Sequence, residues 1–136
     1  MKYWIGVACK NHVMVGVEGG FSQLNHGKKA PLTRMQAGDK FLYYAPKISM
    51  QETTACQKIV ALGTVQEGEI YQAEMSPDFK PFRRDVDYQT GLIEVSLAQL
   101  NQHTEWVECR SKLRFGHLEI SAQLYEYIES LMRAQV

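Results

Sequence analysis

The chain is poor in the features that mark an unusual environment. It holds three cysteines and four prolines in 136 residues. Cys9, Cys56 and Cys109 are odd in number and far apart, so they form no disulfide framework. No stretch approaches the roughly 20 apolar residues that span a bilayer. Residues 1–8 are too short and too aromatic for a signal peptide. The expected location is therefore the cytoplasm, with no membrane partner. Net charge is also absent, since 15 Lys and Arg face 15 Asp and Glu. That balance excludes a protein holding nucleic acid mainly by bulk positive charge. No Gly-x-Ser-x-Gly, glycine-rich phosphate loop or His-Glu-x-x-His occurs. Cys9-x-x-His12 has no second ligand pair at zinc spacing. No metal, cofactor or catalytic residue is assigned on these grounds. Without repeats, low-complexity tracts or a linker, residues 1–136 read as one domain.

What is present is an ordinary soluble globule, 45% hydrophobic and 10% aromatic. The charge is unevenly spread. Residues 1–47 carry seven basic and two acidic side chains, a net of +5, and residues 48–136 carry eight and thirteen, a net of −5. Residues 3–8, 40–45, 56–65, 70–75 and 81–88 read as strands, with Gly63 as a bend and Gln66-Glu67-Gly68-Glu69 as a hairpin turn. Residues 11–17 fit a short helix or a strand. Residues 96–100 and 103–109 read as short helical pieces. Ser121 is an N-cap for a last helix, whose Leu124, Ile128, Leu131 and Met132 form an apolar stripe. Five or six short strands, few helices and one C-terminal helix predict an α+β fold built on a small, mostly antiparallel β-barrel.

Residues 20–38 have neither helical nor strand period, and a run this long in a small domain is usually functional or mobile. Here a family pattern is met. Gly20-Phe21-x-Gln23-x-x-His26-Gly27-Lys28-x-x-Pro31-Leu32 resembles the EVE-domain family. So do Tyr3-Trp4-Ile5 with His12, Gly38-Asp39 leading to Tyr43-Tyr44-x-Pro46, residues 79–86 (Phe79 to Val86) and Leu113-Arg114-Phe115-Gly116. These blocks run in order over nearly the whole chain. Ala45 and Val107 depart from the family's usual Ser and Gly. The Ala45 departure removes a hydroxyl, which puts a polar ligand contact there in doubt. The resemblance implies a PUA-like β-barrel, related to YTH and ASCH domains, that holds a base of DNA or RNA, often a modified one.

The residues supply chemistry for that task. Taking a base out of its stack costs a few kcal/mol, and each aromatic wall returns roughly 1–3 kcal/mol. Cations on phosphates must supply the remaining affinity. The base-pocket candidates are Trp4, His12, Phe21, Gln23, His26, Tyr44, Phe82 and Trp106. The phosphate candidates are Lys28, Lys29, Lys80, Arg83 and Arg84, which lie between or beside phenylalanines. Asp85 and Asp87 read as carboxylates that brace Arg83 and Arg84. Each ring also fits plain core packing, and Trp106 fits a staple for the C-terminal region.

Three functions remain open at this point. The first is a module binding nucleic acid through a base pocket with flanking cations. The second is a sensor of a free nucleoside or nucleotide using the same pocket. The third, least supported, is an enzyme acting on a modified base, with Cys9 and His12, or His26 and an acid, as its parts. The sequence assigns no oligomeric state and does not choose between DNA and RNA.

Overall fold

The computed structural model describes residues 1–134. Its strands are β1 (Tyr3–Val7), β2 (Phe21–Ser22), β3 (Lys40–Lys47), β4 (Ala55–Val65), β5 (Tyr71–Gln72), β6 (Phe82–Tyr88), β7 (Val95–Ser96) and β8 (His117–Ile120). Its helices are α1 (Lys10–Gly19), α2 (Ala30–Thr33), α3 (Leu97–Leu100), α4 (Thr104–Cys109) and α5 (Ala122–Arg133). The fold is α+β. The sheet runs β2-β6-β4-β3-β1-β8, with β5 paired to β6 and β7 to β4, and it curls as a half-barrel. Every pairing is antiparallel except β1 with β3. Strands β2 and β7, of two residues each, and β8 come in addition to those expected, and the strand expected at 70–75 is reduced to the two residues of β5. The outer strands β2 and β8 are short, which leaves little edge for unwanted pairing.

Two apolar clusters flank the central strands, because neighbouring side chains on a strand point to opposite faces. Ile5, Leu42, Tyr44, Leu62 and Trp106 pack with the α5 residues Leu124, Ile128 and Met132. Trp4, Val13, Leu24, Phe41, Tyr43 and Val65 form the other cluster. Helix α5 begins where expected, with the Ser121 hydroxyl accepting from the Leu124 N–H at 3.1 Å. Its Leu124, Ile128 and Met132 are fully buried, and Leu131 is partly so.

Residues 11–17, open between a helix and a strand in the sequence, lie in helix α1. Two local expectations are corrected. The 66–69 turn does not close a hairpin onto β4. Strand β5 pairs with β6 instead, at Tyr71 with Arg83, while β4 takes the far half of β6. The β4 irregularities fall at Val60, where pairing steps from Tyr43 with Ala61 to Tyr44 with Ile59, and between Ala45 with Lys58 and Lys47 with Ala55, whereas Gly63 pairs regularly with Phe41. The turn ahead of β3 is set by buried Asp39, which accepts from the Lys2 and Gln36 N–H groups and the Trp4 indole. Burial pushes the Asp39 carboxyl up, but these donors outweigh it and hold the group below its usual range. Among the described residues no helix is long and apolar enough to cross a membrane.

Candidate nucleic-acid interface

A cavity of about 610 Å³ opens where β1 and β3 end. Val7 and Tyr44, paired neighbours on those strands, stand on its wall. Helix α1 starts after two intervening residues, which brings Cys9 and His12 to the same wall. The Val7 N–H donates to the Gly116 carbonyl at 3.0 Å, which pins the turn carrying Leu113 and Arg114 beside the strand end. Phe79 and Met75 come from the β5–β6 connection, and Lys47 and Met50 from the end of β3 and beyond.

Residues 25–27 form an unusual corner of this cavity. Asn25, His26 and Gly27 all have positive φ, at 49°, 60° and 82°. Left-handed backbone costs a non-glycine residue roughly 1–2 kcal/mol, and such strain gathers at functional sites. Two close packings hold it. A Cβ on Gly27 would collide with Pro81, and a Cβ on Gly116 would collide with the Asn25 side chain. The Gly27 and Lys28 N–H groups both donate to the Leu24 carbonyl, at 2.9 and 3.1 Å. The 20–32 and 79–84 stretches, remote in sequence, therefore meet here.

Gln23 is buried at 4% exposure and is held on every side. The hydroxyl of buried Tyr43 accepts from its N–H at 3.2 Å and donates to its carbonyl at 3.1 Å. Burial holds that hydroxyl well above the usual tyrosine range. Arg83 Nε donates to Gln23 Oε1 at 2.9 Å, and its guanidinium lies 3.9 Å from the centre of the Phe21 ring. Burial lowers the His12 pKa, as do the nearby Arg83 and His26, against the pull of the Gln23 backbone carbonyl. Those effects favour the neutral imidazole of His12, with one donor and one acceptor nitrogen.

Of the eight base-pocket candidates, the cavity is lined by His12, Gln23, His26 and Tyr44. The others lie elsewhere. Trp4 is stacked on His117 with centroids 4.7 Å apart and donates its indole N–H to Asp39. Trp106 is fully buried behind Tyr44, 5.5 Å between centroids, and donates to Asn101. Phe21 lies under Arg83, and half-buried Phe82 sits beneath the Lys29 ammonium. None of the five cations chosen from the sequence is on the wall. Lys28 is exposed, Lys80 faces Glu74 at 3.8 Å, and Arg84 donates to the Met35 and Gln66 carbonyls. Asp85 accepts from the Tyr71 hydroxyl at 2.7 Å instead of bracing an arginine. Burial and that carboxylate push Tyr71 up to about 12.

The cations on the wall are Lys47 and Arg114, 67 positions apart in sequence. Among the described residues no acidic side chain lines the cavity. Sequence reasoning also missed Phe79, Met50, Met75 and Leu113 as lining residues. Phe79 and Arg114 lay inside the quoted family blocks, but nothing in a linear reading placed them in one cavity with Tyr44. Ala45 is fully buried in β3 and does not line the cavity, so its missing hydroxyl removes no contact there. Among the described residues, no three of His, Cys, Asp and Glu converge as a metal site.

The chain is 46% identical over 132 residues to the UPF0310 protein of Streptococcus gordonii, covering 97% of this chain and 94% of that one. It is 37% identical to the UPF0310 protein YdcG of Bacillus subtilis, over 99% and 94%. Among solved structures it resembles a hypothetical protein from Leishmania major, with a TM-score of 0.66 at 16% identity over 96% and 94% of the two chains. It also resembles the Mmi1 YTH domain, with a TM-score of 0.58 at 10% identity over 96% and 74%. A second structure of that YTH domain, in complex with RNA, gives a TM-score of 0.53 at 12% identity over 96% and 77%. With the EVE domain model matched from residue 2 to residue 131, the chain belongs to the EVE-domain family.

Proposed function

We propose that this protein is a nucleic-acid-binding module that takes one base, unmodified or modified, into the cavity at the ends of β1 and β3. The observation that carries the reading is the make-up of that wall. Tyr44 and Phe79 offer ring surfaces, Lys47 and Arg114 offer positive charge, and no carboxylate among the described residues lines the wall with them. About 610 Å³ lies within the usual range for ligand pockets and exceeds what a single base fills. Stacking on two rings offsets the cost of unstacking a base, and charge on the adjacent phosphates supplies the affinity. The shared fold with a YTH domain solved with RNA supports the same reading. A methyl group in an apolar notch contributes only about 1–3 kcal/mol, so preference for a methylated base is partial unless a polar group rejects the parent.

The test is a titration of single-stranded and duplex DNA and RNA oligonucleotides carrying modified cytosine or adenine at one central position. The expected result is tighter binding of a base-bearing strand than of its abasic counterpart, with affinity falling as salt rises. Binding that ignores the base, the Tyr44→Ala change and the salt overturns it. The sensor alternative is separated by length, since a sensor holds the mononucleotide as tightly as an oligomer.

A further inference from the structure

We propose that Arg83 is a positioning residue, which fixes Gln23 so that its amide NH2 is the donor reading an acceptor atom on the edge of the bound base. The inference rests on the base-pocket reading above. It follows from what each group can donate. A guanidinium has donors only, so the atom of Gln23 that faces Arg83 Nε at 2.9 Å must be the amide oxygen. That commits the oxygen and turns the NH2 the other way. Its neighbour there is the Met75 thioether sulfur at 3.9 Å, a weak acceptor on an exposed, cavity-lining side chain that a stronger acceptor readily displaces.

The remaining freedom of Gln23 is removed from behind. The Tyr43 hydroxyl bonds both its N–H and its carbonyl. Arg83 is seated in turn. Its planar cation lies against the ring of buried Phe21, which sits on β2, paired to the same strand that carries Arg83. Lysine has no planar face to lie on that ring and no fork to hold the oxygen, so it does not replace arginine here. Arg83 is thereby occupied with the protein itself, which separates it from Lys47 and Arg114.

The experiment uses the full chain and oligonucleotides whose central position holds the preferred base, an analogue with one edge acceptor replaced by C–H, or an abasic sugar. Each is titrated over a range of salt. The wild type is expected to disfavour at least one acceptor-deleted analogue by about 10- to 100-fold, the cost of stranding a buried donor. Arg83→Lys and Gln23→Leu are expected to cut that discrimination below about 3-fold, with the slope of log K against log salt unchanged. If Arg83→Lys instead lowers the slope by about 1 and leaves discrimination intact, Arg83 is a phosphate contact and the proposal is overturned. If the abasic strand binds as well as the base-bearing one, the pocket reading fails and the proposal with it. If the base is required but Arg83→Lys changes nothing, only the proposal fails. A ligand-free readout guards against misfolding. The Gln23 side-chain NH2 resonances, identified by their loss in Gln23→Leu, are expected to shift in folded Arg83→Lys, and an unmoved pair overturns the clamp.

Discussion

Trp4 and Trp106 are the largest rings in the chain, yet the cavity is walled by Tyr44 and Phe79. The two regions differ in what surrounds a ring. Trp4 lies inside β1, between β3 and β8, and Trp106 lies under α5 in the larger apolar cluster, so each is covered on all sides. Tyr44, although buried in β3 at 6% exposure, borders the cavity, and Phe79 stands on a connection at 38% exposure, so each reaches the wall as neither tryptophan does. The cations divide the same way. Arg84 is spent on backbone carbonyls, whereas Lys47 and Arg114 reach the cavity wall.

This contrast is sharpened by variants that strike one region and spare the other. The largest effect belongs to the core. Trp106→Ala is expected to cost about 3–5 kcal/mol of stability, read by denaturant unfolding. A loss under about 1 kcal/mol puts Trp106 outside the core after all. Next comes acid. His117 is buried against Trp4, and neither ring nitrogen has a hydrogen-bond partner among the described residues. Burial, and then nearby Arg34, lowers its pKa to about 4 from 6.5. Between those values the unfolded chain binds more protons than the folded one, so stability falls as pH drops from 6.5 toward 4. The full effect is on the order of 3 kcal/mol. His117→Leu is expected to flatten that limb, and an unchanged pH profile for the variant removes His117 as the cause.

Binding variants come after these. Phe79→Ala is expected to weaken oligonucleotide binding by roughly 1–3 kcal/mol, one stacked base, with little change in unfolding midpoint. Lys47→Ala and Arg114→Ala are each expected to reduce the salt slope by about 1 and affinity by roughly tenfold, across all sequences. The smallest effect, under about twofold in affinity, is expected for Lys80→Ala, whose ammonium is exposed and faces Glu74. If Lys80 and Lys28 matter more than Lys47 and Arg114, the nucleic acid lies on another face and the comparison is reversed.

Much of the scaffold was legible because it is written in short-range pattern. The α5 stripe, its Ser121 cap, the turn at Gly38-Asp39 and the edges of β1, β3 and β6 each depend on residues a few positions apart. The failed hairpin shows the limit. Turn composition at 66–69 marks a reversal, but which strand β5 joins depends on where β6 lies, and β6 is shared among β2, β4 and β5. The site was half legible for a similar reason. His12, Gln23, His26 and Tyr44 stand in family blocks and also reach the wall. Phe21 and Arg83 stand in the same blocks but lie behind it, one beneath the other.

By itself the sequence determined the class of the fold, the family, and the supply of rings, amides and cations from which a pocket can be made. Those follow from periodicity, capping and motif order, all of which are properties of neighbours along the chain. Which ring is covered, which cation is spent and which amide hydrogen faces the cavity were decided only by the tertiary structure. Burial and hydrogen-bond partnership depend on segments tens of residues apart, such as Gln23 with Arg83, and no local pattern encodes that meeting.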